Sequence, residues 1–249
     1  MDIKDNERLD AVNDRLSLIQ KTDGLTFGTD ALLLAGYVSG RFSSGCELGG
    51  GSGIISMLLL AREKAEKCLA VEVQEEYADL IRRNAEENML NDRLSVLCAD
   101  IRGVAATEEY DLVFTNPPYM KSVSGAHNKT DAKTVARHEI FGGIDDFLAA
   151  GKRLLKFGGA FYAVYRPDRL VDIIAAARSY GIEPKRITMV HADTNSEASM
   201  MLMEAKRGGK SGMQLTMPLI IYKDSAHREY TEDMEYIMEN GSFPKKFKR

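Results

Sequence analysis

Four consecutive residues after an apolar run carry the most specific chemistry in this chain. They are Asn116, Pro117, Pro118 and Tyr119, and they follow the run 112–114. The Asn116 amide oxygen and a backbone carbonyl of the proline pair can accept the two hydrogens of a planar amino group, while the Tyr119 ring stacks on the base that carries it. The nitrogen lone pair would then face an incoming methyl group. The alternative is a turn that only closes a strand, because Asn and Pro are common there.

A glycine-rich segment upstream predicts a ligand-binding turn. Glu47 lies at the end of a predicted short strand and is followed by Gly49, Gly51 and Gly53, and the apolar stretch 54–60 has the length of a helix. Glycines let the backbone turn sharply and approach a ligand closely. A dinucleotide fingerprint would place a further glycine at position 54, which is isoleucine, so the spacing fits nicotinamide and flavin cofactors poorly. The acidic residue suits a cofactor with a cationic end.

Two further acids are predicted to end strands at the same edge. Glu72 follows the run 68–71 about twenty residues after the glycine turn, the spacing at which a carboxylate holds ribose hydroxyls. Asp100 follows the run 94–99. Each acid alone could be a solvated strand end. In order with Glu47 and Asn116 they define one rim of a sheet, where open α/β sheets bind their ligands.

This ordered set resembles the Rossmann-like S-adenosylmethionine-dependent methyltransferases, and within them the branch that methylates amino groups. The segments 25–31 and 136–139 narrow the resemblance to the bacterial tRNA adenine-N6 methyltransferases that modify the adenosine next to the anticodon of a valine tRNA. The resemblance runs from about Arg8 to the end of the chain. It departs from the usual pattern at Glu47, where Asp is commoner, and Gly50 makes the turn more flexible.

The resemblance implies the cofactor, the substrate and their contacts. The cofactor would be S-adenosyl-L-methionine, the substrate the exocyclic amine of adenine in RNA, above all tRNA near the anticodon, and no metal is expected. Glu72 would hold the ribose, Asp100 the adenine amine of the cofactor, and Phe27 with Asp30 would close the pocket. The expected cofactor-binding residues are Phe27, Asp30, Glu47, Gly49, Gly51, Gly53, Glu72, Val73, Asp100, Ile101 and Asn116.

Strand-like runs alternate with helical ones, which predicts an α/β fold with a mostly parallel sheet and helices on both faces. By resemblance this is a Rossmann-like, seven-stranded class I methyltransferase fold with an antiparallel hairpin at one edge. A single domain is expected over 1–249, with an N-terminal hairpin and helix in 1–40 and the Rossmann-like core with a C-terminal extension in 41–249. The N-terminal hairpin is predicted to pair 16–19 with 25–27 around a turn at 22–24. Helices are predicted from Asp30 and over 75–88, 144–156 and 167–180, and the last two strands over 186–190 and 199–204.

Composition agrees with a cytoplasmic enzyme. A chain of 249 residues with 44% hydrophobic content can bury a full core. Its polar start predicts no signal peptide, and no apolar run approaches the length of a membrane span. The three cysteines, Cys46, Cys68 and Cys98, have neither disulfide nor metal-ligand spacing and suit a reducing compartment.

The net charge of −4 at first argues against a nucleic-acid partner. The local charge after the Asn116 motif favours one, because four bases there accompany a single acid, Asp131. We expect this stretch to be a loop that contacts the phosphates of an RNA substrate. A solvated surface run is the alternative. The four bases are Lys121, Lys129, Lys133 and Arg137.

Three other functions share parts of this pattern. A protein glutamine methyltransferase acts on the same planar amino group, but that family usually carries a larger helical N-terminal domain, and only about forty residues precede Glu47. A guanine-directed ribosomal RNA methyltransferase of the same branch would use the same motif. A non-catalytic S-adenosylmethionine-binding RNA-binding protein is the alternative from another class, and intact Asn116 and Tyr119 argue against it.

Overall fold

The structure is a computed structural model that describes residues 3–23, 27–105, 107–117 and 142–248. Its strands are β1 Glu7–Asn13, β2 Leu16–Lys21, β3 Phe42–Leu48, β4 Ala65–Glu72, β5 Leu94–Cys98, β6 Tyr110–Thr115, β7 Leu155–Tyr165, β8 Ile182–His191, β9 Ala198–Arg207, β10 Gln214–Leu215 and β11 Leu219–Ile220. Its α-helices are α1 Thr29–Tyr37, α2 Ile54–Ala61, α3 Glu75–Glu87, α4 Ile144–Leu154, α5 Leu170–Ser179 and α6 Glu232–Asn240. Short 3-10 helices cover Ile101–Gly103, Pro167–Arg169 and Lys245–Phe247.

One large sheet organises the described ranges. Its order is β10-β8-β9-β7-β6-β3-β4-β5, and β11 also pairs with β8. The strands from β3 to β7 are mutually parallel, while β9 lies antiparallel between β7 and β8. The predicted α/β class and the antiparallel hairpin are confirmed. The predicted count of seven strands is wrong, because β10 and β11, two residues each, add to β8 and make nine.

Both faces of the sheet are covered, as predicted. Successive residues of a strand point to opposite faces. In β6, Leu112 and Phe114 pack in the apolar cluster that includes α1 and α2, and Val113 packs in the cluster that includes α4 and α5. Because both faces of β6 are buried, its sequence is an uninterrupted apolar run.

An N-terminal hairpin is present, but its strands and turn differ from the predicted ones. β1 pairs with β2, and the connecting turn lies at 14–15 instead of 22–24. The cause is Asn13, whose side-chain Oδ1 accepts the backbone N–H groups of Arg15 (2.9 Å) and Leu16 (3.0 Å) and so closes the turn. Buried Asn84 of α3 then bonds both backbone groups of Ile19 (2.7 and 3.0 Å), which fixes the hairpin over the large sheet. Residues 24–26 lie outside the described residues.

The predicted helices are present, but some of their first and last residues differ from the predicted ones. The helix predicted over 144–156 stops at Leu154, because β7 begins at the next residue. The segment predicted over 167–180 opens as a 3-10 helix and becomes α5 only at Leu170. The predicted helix over 75–88 corresponds to α3. Every helix of the described ranges is too short or too polar to cross a membrane.

Candidate active site

Four strands deliver the predicted residues to one edge of the sheet. Their ends are aligned by the pairs Leu48 with Val71, Leu48 with Thr115, and Glu72 with Cys98. The turn after β3, the end of β4 and the residues after β5 and β6 therefore lie along one edge, as predicted. Strand order divides this edge at β6. We call the part formed by β3, β4 and β5 the β5 side, and the part formed by β7, β9 and β8 the β9 side.

The glycine turn lies on the β5 side and needs its glycines. Gly49, Gly51 and Gly53 have positive φ angles of 74°, 55° and 79°. At Gly53 a Cβ atom would also lie 2.8 Å from Ile81 of α3. At Gly51, by contrast, a Cβ atom would meet nothing within 4 Å. The turn is thus packed from behind at Gly53 and open at Gly51, where a ligand can approach the backbone.

Glu47 supports this turn from below. The residue is only 1% exposed, and its carboxylate accepts the backbone N–H (3.1 Å) and the hydroxyl of Ser56 in the first turn of α2. Burial raises the pKa of Glu47 to about 8. In this arrangement the side chain holds the start of α2 against β3. Its expected contact with a cationic cofactor end stays a prediction.

Glu72 ties the glycine turn to the end of β4. Its Oε2 accepts the backbone N–H of Gly51 (2.9 Å), and its Oε1 accepts that of Gln74 (3.0 Å). Each carboxylate oxygen can accept more than one hydrogen bond, so these two contacts orient the group and leave it able to accept ribose hydroxyls. Val73 lies between Glu72 and Gln74 in the chain, and its carbonyl accepts a hydrogen bond from the thiol of Cys98 (3.8 Å).

Asp100 lies at the end of the β5 side and is paired with a neighbour. Its carboxylate accepts the backbone N–H (2.8 Å) and the Nε (2.9 Å) of Arg102. Hydrogen bonds from the Arg102 guanidinium lower the pKa of Asp100. An adenine amine would therefore share this carboxylate with Arg102. Ile101 beside it is buried.

Asn116 follows β6, at the boundary between the two sides, and its side chain is oriented by Asp30. Asn116 Nδ2 donates to Asp30 Oδ2 (2.8 Å), and Asp30 Oδ1 accepts the backbone N–H of Ala31 (2.9 Å) in the first turn of α1. A carboxylate at neutral pH only accepts, so the group that faces it must be the NH2 of the amide. Asn116 Oδ1 is buried and has no hydrogen-bond partner among the described residues. The structure thus presents an unsatisfied acceptor.

The sequence placed Asp30 in the cofactor pocket and missed this contact. Asp30 and Asn116 are 86 positions apart, and nothing in either segment marks them as a pair. Phe27 is half-buried, packs against the core and donates its backbone N–H to Gln20 (2.6 Å). Pro117 is buried. Outside the described residues lie Pro118, Tyr119, Lys121, Lys129, Lys133 and Arg137.

The β9 side carries a cavity of about 290 Å³ that the sequence did not predict. It is lined by Thr29, Asp30, Arg166, Ser199 and Met200. Arg166 directly follows β7, as Asn116 follows β6, so the strand-end rule could have found it. Met200 is partly buried, whereas Met201 and Met203 are fully buried.

The described ranges show neither a metal-binding cluster nor a cysteine with a lowered pKa. They contain no group of three or more His, Cys, Asp or Glu residues that could hold a metal ion. Cys46 and Cys68 are buried and Cys98 is half-buried, and all three are free thiols. Burial raises the pKa of Cys46 and of Cys68 well above the usual thiol range.

Comparison with known proteins shows what this chain is similar to. A family model described as methyltransferase small domain matches residues 21–169. A relative from Aeromonas hydrophila subsp. hydrophila, named tRNA1(Val) (adenine(37)-N6)-methyltransferase, is 32% identical and the match covers 73% of this chain and 76% of the relative. A relative of the same name from Trichodesmium erythraeum is 26% identical over 90% of this chain and 92% of the relative. A solved structure from Agrobacterium tumefaciens, described as a predicted O-methyltransferase, is 26% identical, covers 87% of this chain and 98% of its own, and has a TM-score of 0.71.

Proposed function

The chain belongs to the methyltransferase small domain family, and on that premise we propose that it methylates the exocyclic N6 amine of an adenine in tRNA, beside the anticodon. S-adenosyl-L-methionine is the methyl donor. The observation that carries the proposal is the unsatisfied Oδ1 of Asn116 at the end of β6. The names of relatives that cover most of the chain support the same substrate.

The β5 side fits the methyl donor. The space at Gly51 admits a ligand to the backbone, and Glu72 and Asp100 offer carboxylate oxygens at the ends of adjacent strands. We assign the ribose hydroxyls to Glu72 and the adenine amine of the donor to Asp100, in competition with Arg102. When bound, the donor supplies a sulfonium-activated methyl group. The glycine turn is the segment that would hold its methionine portion.

Asn116 activates the target amine by geometry. The lone pair of an aromatic amine is delocalised into the ring and is therefore a poor nucleophile. By accepting one N–H hydrogen, Asn116 Oδ1 holds the amine with its lone pair toward the methyl group, and the gain is realised mainly in the transition state. The nitrogen forms its bond to the methyl carbon as the carbon–sulfur bond breaks, and the methylated nitrogen then loses a proton to water. No strong base is required.

Asp30 increases this effect. Its carboxylate accepts from Asn116 Nδ2 and draws that hydrogen toward itself, which leaves more electron density on Oδ1. It also excludes the flipped amide, in which Nδ2 would face the target amine and repel it. Asp30 is thus a positioning residue for Asn116, whereas the sequence had placed it in the cofactor pocket.

A hydroxyl target, as in the O-methyltransferase description of the Agrobacterium tumefaciens protein, fits this site less well. A hydroxyl is a strong nucleophile only when a base removes its proton. An amide oxygen is not such a base. Asp30 is nearby, but it is already bonded to Asn116 and Ala31.

The experiment is methyl transfer from labelled S-adenosylmethionine to separated tRNA, ribosomal RNA and protein fractions, followed by nucleoside mass spectrometry. We expect label in tRNA as N6-methyladenosine. Label in protein would support the glutamine reaction, and label in ribosomal RNA as methylguanosine the guanine-directed one. Cofactor binding without transfer to any fraction would support a non-catalytic RNA-binding protein. The phosphate contacts expected of Lys121, Lys129, Lys133 and Arg137 belong to this proposal as well.

A further inference from the structure

The cavity on the β9 side is assembled from three separate parts of the chain. Thr29 and Asp30 come from the start of α1, Arg166 from the end of β7, and Ser199 and Met200 from the start of β9. Its volume of about 290 Å³ is at the small end of ligand pockets, which run to roughly 300–1,000 Å³. It has room for one nucleotide unit.

Strand order decides which ligand can reach this cavity. Asn116 follows β6, the glycine turn and Glu72 lie across β3 and β4, and Arg166 lies on the opposite side, after β7. The methyl donor assigned to the β5 side therefore does not fill it. The connection to the reacting amide is direct, because Asp30 lines the cavity and bonds Asn116 at 2.8 Å.

The cavity has a negative side chain, Asp30, and a positive one, Arg166, in its wall. Asp30 lies at the end next to Asn116. Arg166 is held by two bonds to Asp168, from Nε to Oδ1 (2.9 Å) and from Nη2 to Oδ2 (2.5 Å), and its side chain is 27% exposed. The Thr29 hydroxyl adds a donor, whereas the Ser199 hydroxyl donates to the Val190 carbonyl (3.3 Å). A ligand that matches this pattern is anionic at the Arg166 end and carries hydrogen-bond donors at the Asp30 end.

We propose that this cavity binds the sugar-phosphate unit next to the target adenine, with Arg166 as the phosphate ligand. The proposal rests on the proposed RNA substrate. The target adenine presents its amine to Asn116, the adjoining ribose packs on Met200, and a flanking phosphate lies at Arg166. A guanidinium carries a permanent positive charge and five N–H donors, and Asp168 fixes its plane through Nε and Nη2. The Asp30 carboxylate repels phosphate, so the nucleotide binds with its phosphate at the Arg166 end of the cavity.

The first test compares Arg166→Gln with Arg169→Gln. Arg169 is the matched control, because it lies in the short 3-10 helix that directly follows Arg166 and is ion-paired to Asp172 (3.0 Å), but does not line the cavity. With an unmodified valine tRNA transcript, we expect Arg166→Gln to raise KM about tenfold, the usual range for a charge-assisted hydrogen bond, and Arg169→Gln to leave it within twofold. S-adenosylmethionine affinity, measured by calorimetry, should be unchanged in both variants and reports that they fold. Arg166→Lys keeps the positive charge but loses the planar guanidinium. Its KM should lie between those of Arg166→Gln and Arg169→Gln.

The second test identifies the phosphate. Anticodon stem-loop RNAs are prepared with a neutral methylphosphonate at the phosphate on the 5′ or the 3′ side of the target adenosine. One of these should raise KM about tenfold for the wild-type enzyme and have little further effect on Arg166→Gln, because the two changes remove the same contact. Additive effects at both phosphates, or a wild-type KM for Arg166→Gln, would overturn the proposal. An inactive wild-type enzyme would instead refute the proposed function, so the two failures are distinguishable.

Discussion

The two sides of the sheet edge are built in different ways. On the β5 side, each functional group lies within a few residues of a strand end. Asp100 is held by Arg102, and Glu72 is held by Gln74 and by one more distant residue, Gly51. On the β9 side, Arg166 is also held locally, by Asp168, but the cavity joins distant segments that carry Asp30, Arg166 and Ser199, and Asp30 reaches Asn116 at the boundary. The β5 side uses local backbone geometry to hold a donor of constant structure, whereas the β9 side depends on tertiary packing to receive the target.

Asn116→Ala should give the largest effect, because it removes the acceptor at the boundary of the two sides. We expect kcat to fall by about 100- to 1,000-fold, the range for loss of one preorganised transition-state hydrogen bond. Donor affinity should not change, since the β5 side is intact. Single-turnover methyl transfer and calorimetry with S-adenosylmethionine measure the two quantities. Near-normal turnover would contradict the role of the amide.

Glu72→Ala tests the β5 side alone. It removes the proposed ribose acceptor and also the bond that ties the Gly51 N–H to β4. We expect the Kd for S-adenosylmethionine to rise about 30-fold, corresponding to about 2 kcal/mol for hydrogen bonds to a charged group. Glu87→Ala, at the exposed end of α3, is the control and should bind normally. Equal affinity in the two variants would remove Glu72 from the donor site.

Asp30→Ala separates the two assignments of that residue. If Asp30 positions Asn116, kcat should fall about tenfold with the donor Kd unchanged, because the loss of one neutral-to-charged hydrogen bond frees the amide to rotate. Asp30→Asn should be milder, since an amide oxygen can still accept from Asn116 Nδ2. If Asp30 instead closes the cofactor pocket, the donor Kd should rise and kcat at saturation should recover. Calorimetry and steady-state kinetics at saturating donor distinguish these outcomes.

Glu47 should affect stability with a defined dependence on pH. Its pKa is raised from 4.5 to about 8 by burial, so the folded protein retains a proton that the unfolded chain has lost between these values. The favourable contribution is complete below about pH 4.5 and is lost as the pH rises through about 8. Relative to wild type, the unfolding free energy of Glu47→Gln should therefore increase by on the order of 1 kcal/mol per pH unit between pH 5 and 8. Denaturant titrations at several pH values measure this, and parallel curves for the two proteins would contradict it.

The division between the sides also explains what could be predicted from the sequence. The alternation of apolar runs and helices predicted the α/β fold, and the residue after each run predicted the positions of Glu72, Asp100 and Asn116. These signals are local, because a strand end and the residue that follows it are neighbours in the chain. The same rule applied to β7 would have selected Arg166.

Other features depend on tertiary contacts and left no local signal. The pairing of Asp30 with Asn116 arises only when α1 is placed over the end of β6. The N-terminal hairpin was assigned the wrong turn, because Asn13 closes the chain earlier than the Thr22–Gly24 segment would. β10 and β11 are two residues each and lack the length that makes a strand recognisable.

The most direct test of the central claim removes one chemical group, the exocyclic amine, from the substrate. Two valine tRNA transcripts are compared, one with adenosine beside the anticodon and one with purine riboside there, which lacks only the exocyclic amine. With labelled S-adenosylmethionine, the first should acquire one methyl group, recovered as N6-methyladenosine, and the second none. Equal labelling of both transcripts, or a methyl group found at any atom other than N6, would contradict the account of an amine held by Asn116.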